Sequence, residues 1–251
     1  MNQAFMAGCS LSSYSPQNVQ QTIAYLKSHN PKLSVIQKCC GKPTKLIGAK
    51  SLFESRFSEF LRSIKECEAD ELVVACQGCM DILSRTDKIK SISLWEEFKK
   101  IGLPEKVLGK GSNSDIVFSI HDACPTRSNK EIHESIRWIL EQLGYKFKES
   151  IYSREKTICC GFGGMVGAVN LEIAKQNAEK CVKGFETEHI VTYCATCRSA
   201  LMLGGGKSWH ILDLIWGTPL HKSDTCHDNI LASPVNAWIN RYKTKQVINR
   251  F

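Results

Sequence analysis

The sequence predicts an α/β protein made of two similar Rossmann-like βαβ halves, with parallel sheets related by a pseudo-twofold axis. Two observations carry this reading. Short β-type runs alternate with longer segments of helical spacing along most of the chain, the order that parallel βαβ units require. One five-cysteine pattern is also used twice. Cys9, Cys39-Cys40-Gly41 and Cys76-x-x-Cys79 return in the same order as Cys124, Cys159-Cys160-Gly161 and Cys194-x-x-Cys197. A duplication within 251 residues gives two domains of ordinary size. The expected division is 1–108 and 109–251, the second half carrying a C-terminal extension.

In the first half, Gln3–Ala7 reads as a strand that delivers Cys9. Ser15-Pro16 starts a helix in which Val19, Ile23, Tyr25 and Leu26 recur at helical spacing. Leu33–Ile36 is a β-type run leading to Cys39-Cys40-Gly41. A longer helix is expected over Ala49–Cys67, with Leu52, Phe53, Phe57, Phe60, Leu61 and Ile64 on one side. Glu71–Ala75 is a strand ending at Cys76. Lys90–Leu94 is a weaker strand leading into a helix around Trp95–Lys100. Leu103–Ser114, rich in glycine and serine, reads as the linker.

The second half repeats the order. Asp115–Ile120 is a strand running into His121-Asp122-Ala123-Cys124. Asn129–Leu143 is a helix stopped by Gly144, with Ile132, Ile136, Ile139, Leu140 and Leu143 facing inward. Tyr145–Glu149 is a weak strand, and Glu155–Ile158 leads to Cys159. Asn170–Gly184 is helical. His189–Tyr193 is a strand ending at Cys194, and Trp209–Ile215 is a last apolar segment. The tail Asn240–Phe251 reads as frayed or surface chain.

Composition narrows the chemistry. An apolar content of 43% supplies a core, and no stretch reaches the apolar length of a membrane span. The first residues lack a basic segment followed by an apolar one, so a cytoplasmic protein is expected. In a reducing compartment, thirteen cysteines point to metal binding or redox chemistry rather than a disulfide framework. The formal charge of +8 is spread over both halves, and no basic stripe is interleaved with aromatics, so a nucleic-acid partner is not expected. Lysines near a cluster of thiolates would offset its negative charge.

The spacing itself favours a metal site. Cys-x-x-Cys sets two sulfurs one turn apart on a starting helix, whose N-terminus favours the thiolate. Adjacent cysteines in a regular strand would point to opposite faces, so serving one site needs an irregular turn of the kind Gly41 and Gly161 permit. Five soft donors exceed the needs of one tetrahedral zinc and suit an iron–sulfur cluster. A zinc site explains four of each five, and a dithiol site only each Cys-x-x-Cys. Cys67 and Cys181 do not match between the halves and read as buried free thiols. Cys226-His227, with His210 and His221 nearby, fits no regular ligand spacing.

The double set Cys9, Cys39, Cys40, Cys76, Cys79 and Cys124, Cys159, Cys160, Cys194, Cys197 resembles the duplicated cysteine-rich CCG domain. That domain is found in heterodisulfide reductase and in iron–sulfur subunits of glycolate, lactate, glycerol-3-phosphate and some succinate oxidoreductases. The resemblance covers roughly residues 3–215 and extends to His121-Asp122-x-Cys124-x-x-Arg127. It implies one or two [4Fe-4S] clusters, of the noncubane type, one on each five-cysteine set, with zinc as the alternative in one site. It also implies an oxidoreductase subunit that reduces a disulfide or thiol, or passes electrons to a quinone. His121 would supply a proton and Arg127 would hold an anionic substrate group. The chain has no Cys-x2-Cys-x2-Cys-x3-Cys-Pro run, so electrons would come from a separate ferredoxin-like or flavoprotein subunit, in a cytoplasmic setting or at the periphery of a membrane complex. A non-redox, metal-holding interaction module is the competing reading.

Overall fold

The computed structural model describes residues 2–86 and 89–251. The chain divides into two compact units, 1–97 with 233–251, and 98–232.

The first unit opens with β1 (Gln3–Met6), α1 (Cys9–Tyr14), α2 (Pro16–His29), β2 (Ser34–Val35), α3 (Lys42–Leu46) and α4 (Lys50–Glu66). It continues with β3 (Glu71–Val74), α5 (Gln77–Leu83), β4 (Lys90–Ser93) and α6 (Leu94–Ile101), the last crossing the division between units. Its sheet has the order β2-β1-β3-β4, and every pairing is parallel. β1 and β3 are central and almost wholly buried, as unbroken apolar runs in a two-sided sheet must be. The Ser15 side chain accepts a hydrogen bond from the Asn18 amide, and Pro16 takes the first helical position, so α2 starts as its sequence predicts.

The second unit contains β5 (Val117–His121), α7 (Lys130–Leu143), β6 (Lys146–Lys148), α8 (Val166–Val169), α9 (Leu171–Val182), β7 (His189–Thr192), α10 (Ala195–Leu203), β8 (Lys207–His210) and α11 (Ile211–Trp216). Its order, β6-β5-β7-β8, repeats the first sheet, again all parallel. Two similar Rossmann-like halves are therefore present. Asn129 and Asn170 cap α7 and α9, and Gly144 ends α7 at φ 80°.

Three expectations need correction. The presumed linker is built into the second unit: the Gly111 amide donates to the Leu143 carbonyl, and Lys110 Nζ donates to the carbonyls of Ile215 and Gly217. The segment Glu155–Ile158 that leads to Cys159 is no strand: it begins in a short 3-10 turn, Arg154–Lys156. The tail lies at the surface, as one of the two alternatives had it, but it is helical and not frayed. Ser233 and Pro234 start α12 (Pro234–Ile248), which packs on α1 and α2 of the first unit rather than extending the second. Its inward face is polar: Asn240 donates to the Tyr14 carbonyl and Thr244 to the Ser12 carbonyl. That inversion hides the helix from a search for apolar stripes, because Trp238 and Tyr242 lie on the outside.

Candidate metal centres

In a 2-1-3-4 parallel sheet, ligands gather beyond the carboxyl ends of the two central strands. Cys9 follows β1 and Cys76 follows β3 there. The approach is close. A Cβ added to Gly8, at φ 79°, would lie 2.4 Å from Cys76 Cβ. Cys76 caps α5 and Cys79 sits in its first turn, with the Cys79 amide bonded to the Cys76 carbonyl at 3.0 Å. The loop after β2 brings Cys39 and Cys40, and Gly41 at φ 78° turns the chain into α3. Cys79 Sγ lies 3.1 Å from Cys40 Sγ, and Cys9 hydrogen-bonds Cys39.

The second unit is built alike. Cys124 follows β5, Cys194 caps α10 and Cys197 lies within it. The Cys124 and Cys160 thiols donate hydrogen bonds to Cys159, and the Cys197 thiol donates to Cys160 and Cys194. Gly161, at φ 100°, allows the turn, and its missing Cβ leaves room for the Ala174 carbonyl. In each unit the second cysteine of each pair is buried: Cys40, Cys79, Cys160 and Cys197. The other three of each set are partly exposed.

Thiols this close share protons. The hydrogen bond from Cys9 pulls Cys39 down to about 5, helped by the Gly41 amide and by the charges of Arg241 and Arg56. Cys76 falls to about 6 through the Cys79 thiol, two backbone amides and Lys42. Cys159 is held far below the usual thiol range by Cys124, Cys160 and the amides of Gly161 and Gly163. Their partners Cys9, Cys79, Cys124 and Cys197 are pushed up, because a thiol that donates to a thiolate gives up its proton last. Each set thus yields its first proton easily and holds the rest. A cation brought among the sulfurs would displace them.

Beneath the second set lies a polar network that the sequence pattern did not announce. Asp122 makes a two-pronged ion pair with Arg137, at 2.6 and 2.7 Å, with Asp122 wholly buried and the Arg137 side chain 4% exposed. Asp122 also accepts from the Arg154 amide at 2.7 Å and from the Tyr193 hydroxyl at 3.2 Å, and its carbonyl accepts from Thr157 Oγ1. One carboxylate therefore ties together the strand end before Cys124, the loop before Cys159 and the residue before Cys194. Arg137 sits beside the inward stripe of α7, and a cation there was the available signal.

His121 is fully buried at the end of β5, and burial lowers its pKa to about 4, so the ring is neutral. One ring nitrogen and the sulfurs of Cys160 and Cys197 all lie within 4.8 Å of one another. Arg127 is exposed, and its Nε donates to the Thr157 carbonyl at 2.8 Å, bracing the Cys159–Cys160 loop. Cys67 ends α4 and packs half-buried on the first unit's core, and Cys181 meets His121 Nδ1 at 3.9 Å. His210 caps α11, with Nδ1 accepting from the Leu212 amide.

A family model described as a cysteine-rich domain, CCG, matches residues 3–84 and 118–202. The chain belongs to the CCG family. Each CCG copy contains one complete five-cysteine set. An uncharacterized iron–sulfur protein of Methanocaldococcus jannaschii is 26% identical over 200 residues, 77% of this chain. The aligned region spans 40% of that relative's length. Among solved structures, Picrophilus torridus aspartate racemase overlaps 86% of the chain and 91% of its own, at 11% identity and TM-score 0.40. A Bacillus anthracis glutamate racemase overlaps 94% and 80%, at 14% identity and TM-score 0.36. These overlaps are too loose to bear on function.

Proposed function

We propose that each unit holds an iron–sulfur cluster, of the noncubane [4Fe-4S] type, on its five cysteines. In this reading the chain is the electron-handling subunit of an oxidoreductase that reduces a disulfide or thiol, or passes electrons to a quinone. The observation that carries the reading is the convergence of Cys9, Cys39, Cys40, Cys76 and Cys79, and separately of their later counterparts, at the carboxyl ends of paired central strands. The M. jannaschii relative, described as an iron–sulfur protein, supports it.

The residues fit such a group. Thiolates are its ordinary ligands, and five per site suit several irons. Gly8 and Gly163 leave space that a Cβ would fill against Cys76 and Cys159. Around a single zinc, with bonds of about 2.3 Å, thiolate sulfurs sit about 3.8 Å apart. A tetrahedral zinc takes four donors, and each unit brings five sulfurs together.

When bound, the cluster supplies one-electron redox chemistry. The chain's own residues hold it and tune it. The Gly41 and Gly163 amides donate to Cys39 and Cys159 Sγ at 3.4 and 3.3 Å, and Lys42, Arg56 and Arg241 offset thiolate charge in the first unit. Cys40, Cys79, Cys160 and Cys197 are buried and shield the sulfurs from water, and the other ligands are only partly exposed. A separate ferredoxin-like or flavoprotein subunit delivers the electrons.

Anaerobic purification with iron, sulfide and zinc counts per chain tests the metal. Brown protein with a paramagnetic signal on redox titration is expected; colourless zinc protein overturns the reading. Iron-loaded protein that exchanges electrons with neither ferredoxin or flavin donors nor disulfide or quinone acceptors overturns the redox role. One observation favours a second reading for the second unit alone. The tight His121, Cys160 and Cys197 group suits a tetrahedral zinc as well as iron.

A further inference from the structure

The two units carry the same five cysteines but differ in what stands behind them. Three residues before the lone cysteine, at the end of the central strand, the first unit has Met6 and the second has His121. Met6 is a buried apolar side chain in the core. His121 is as deeply buried, but it is a polar ring that the protein leaves unsatisfied. Its Nε2 has no hydrogen-bond partner, and its Nδ1 meets only the Cys181 sulfur, at 3.9 Å. A buried polar atom without a partner is costly, a sign that something else uses the atom.

The surroundings say what uses it. A ring nitrogen of His121 and the sulfurs of Cys160 and Cys197 all lie within 4.8 Å of one another, and all three residues are buried. Among the described residues this is the one group of three such side chains that converges so closely. Phe185 packs edge-on against the ring at 6.0 Å and holds its plane. Cys160 and Cys197 already belong to the ligand frame, so the nitrogen points at the same space as they do.

We propose that His121 is a metal ligand of the second unit, a nitrogen donor beside Cys160 and Cys197, and that the two centres of this chain are therefore chemically unlike. The proposal rests on the reading that the second unit binds a metal, and holds for iron or zinc. With iron, His121 takes a coordination position that the five-cysteine reading gives to a thiolate, and the neutral imidazole removes negative charge from the site. Histidine for cysteine raises the potential of an iron–sulfur centre. The second centre is then the more oxidising of the two. With zinc, the nitrogen completes a mixed tetrahedral set and the second unit is structural.

The test uses the full chain, purified anaerobically with isotope-labelled histidine, beside a Cys40→Ser variant that isolates the second centre. For iron, pulsed electron paramagnetic resonance is expected to give a strong nitrogen coupling that changes with the label. For zinc, X-ray absorption is expected to give one nitrogen at about 2.0–2.1 Å beside sulfurs at about 2.3 Å. His121→Cys should keep the metal, replace the nitrogen with sulfur and lower the potential of an iron centre. His121→Met, which copies the first unit, should abolish the nitrogen coupling and lower the potential of an iron centre toward that of the first unit. A metal-loaded second unit with only sulfur ligands, or with the weak coupling of a hydrogen-bonded ring, overturns this proposal and leaves the proposed function standing. A second unit that takes no metal overturns the proposal and, for that unit, the proposed function with it.

Discussion

Replacing Asp122 by alanine tests whether one buried carboxylate organises the second sulfur set. The substitution leaves the Arg137 guanidinium, 4% exposed, with one carboxylate, the 42% exposed Glu149. Removing one member of a buried pair costs about 3–5 kcal/mol, because the remaining charge stays buried and uncompensated. Glu149 keeps part of the compensation, so about 3 kcal/mol is expected, a fall of roughly 10 °C in melting temperature for a unit of this size. Two compact units need not melt together, so urea titrations of metal-free protein should be followed by far- and near-ultraviolet circular dichroism, with each transition fitted separately. Only the second unit's transition should move. Asp122→Leu combined with Arg137→Met should recover most of the loss, since an apolar pair carries no charge to desolvate. Metal reconstitution should fail in the second unit of Asp122→Ala and succeed in the first, because the Arg154 amide and the Tyr193 hydroxyl lose the carboxylate they share. A loss below about 1 kcal/mol, the scale of an exposed pair, or an equal shift in both transitions, refutes the reasoning.

Three further predictions follow from separate features. Gly8→Ala, at φ 79° and 2.4 Å from Cys76 Cβ, should strip metal from the first unit, whereas Gly48→Ala, at φ 77° with nothing within 4 Å, should cost only the backbone strain of about 1–2 kcal/mol and leave metal content unchanged. Cys40→Ser or Cys79→Ser should lower metal per chain by one site's content, and Cys67→Ser should not, as read by elemental analysis. Burial holds His210 at about 4, below the ordinary value of about 6.5, so the unfolded chain takes its proton first as the pH falls. That contribution is whole above about 6.5 and is lost progressively down to about 4, roughly 3 kcal/mol in all. His210→Asn keeps the cap of α11 and should flatten that part of the pH–stability curve of metal-free protein.

The amino-acid sequence by itself determined the order of β1 to β7, the helices α2, α4, α6, α7 and α9, the duplication and the pattern of ten cysteines. These are local or repeated signals: apolar runs set β1, β3, β5 and β7, side-chain caps set α2, α7 and α9, and the cysteine spacing is written twice. The tertiary structure decided which groups share a space. Asp122 and Arg137 meet across strand and helix, His121 turns toward Cys160 and Cys197 where Met6 stands in the first unit, and α12 returns to the first unit on a polar face. None of these leaves a periodic trace, because each is a contact between residues that are distant along the chain. Such contacts are fixed only when parallel strands bring their carboxyl ends together.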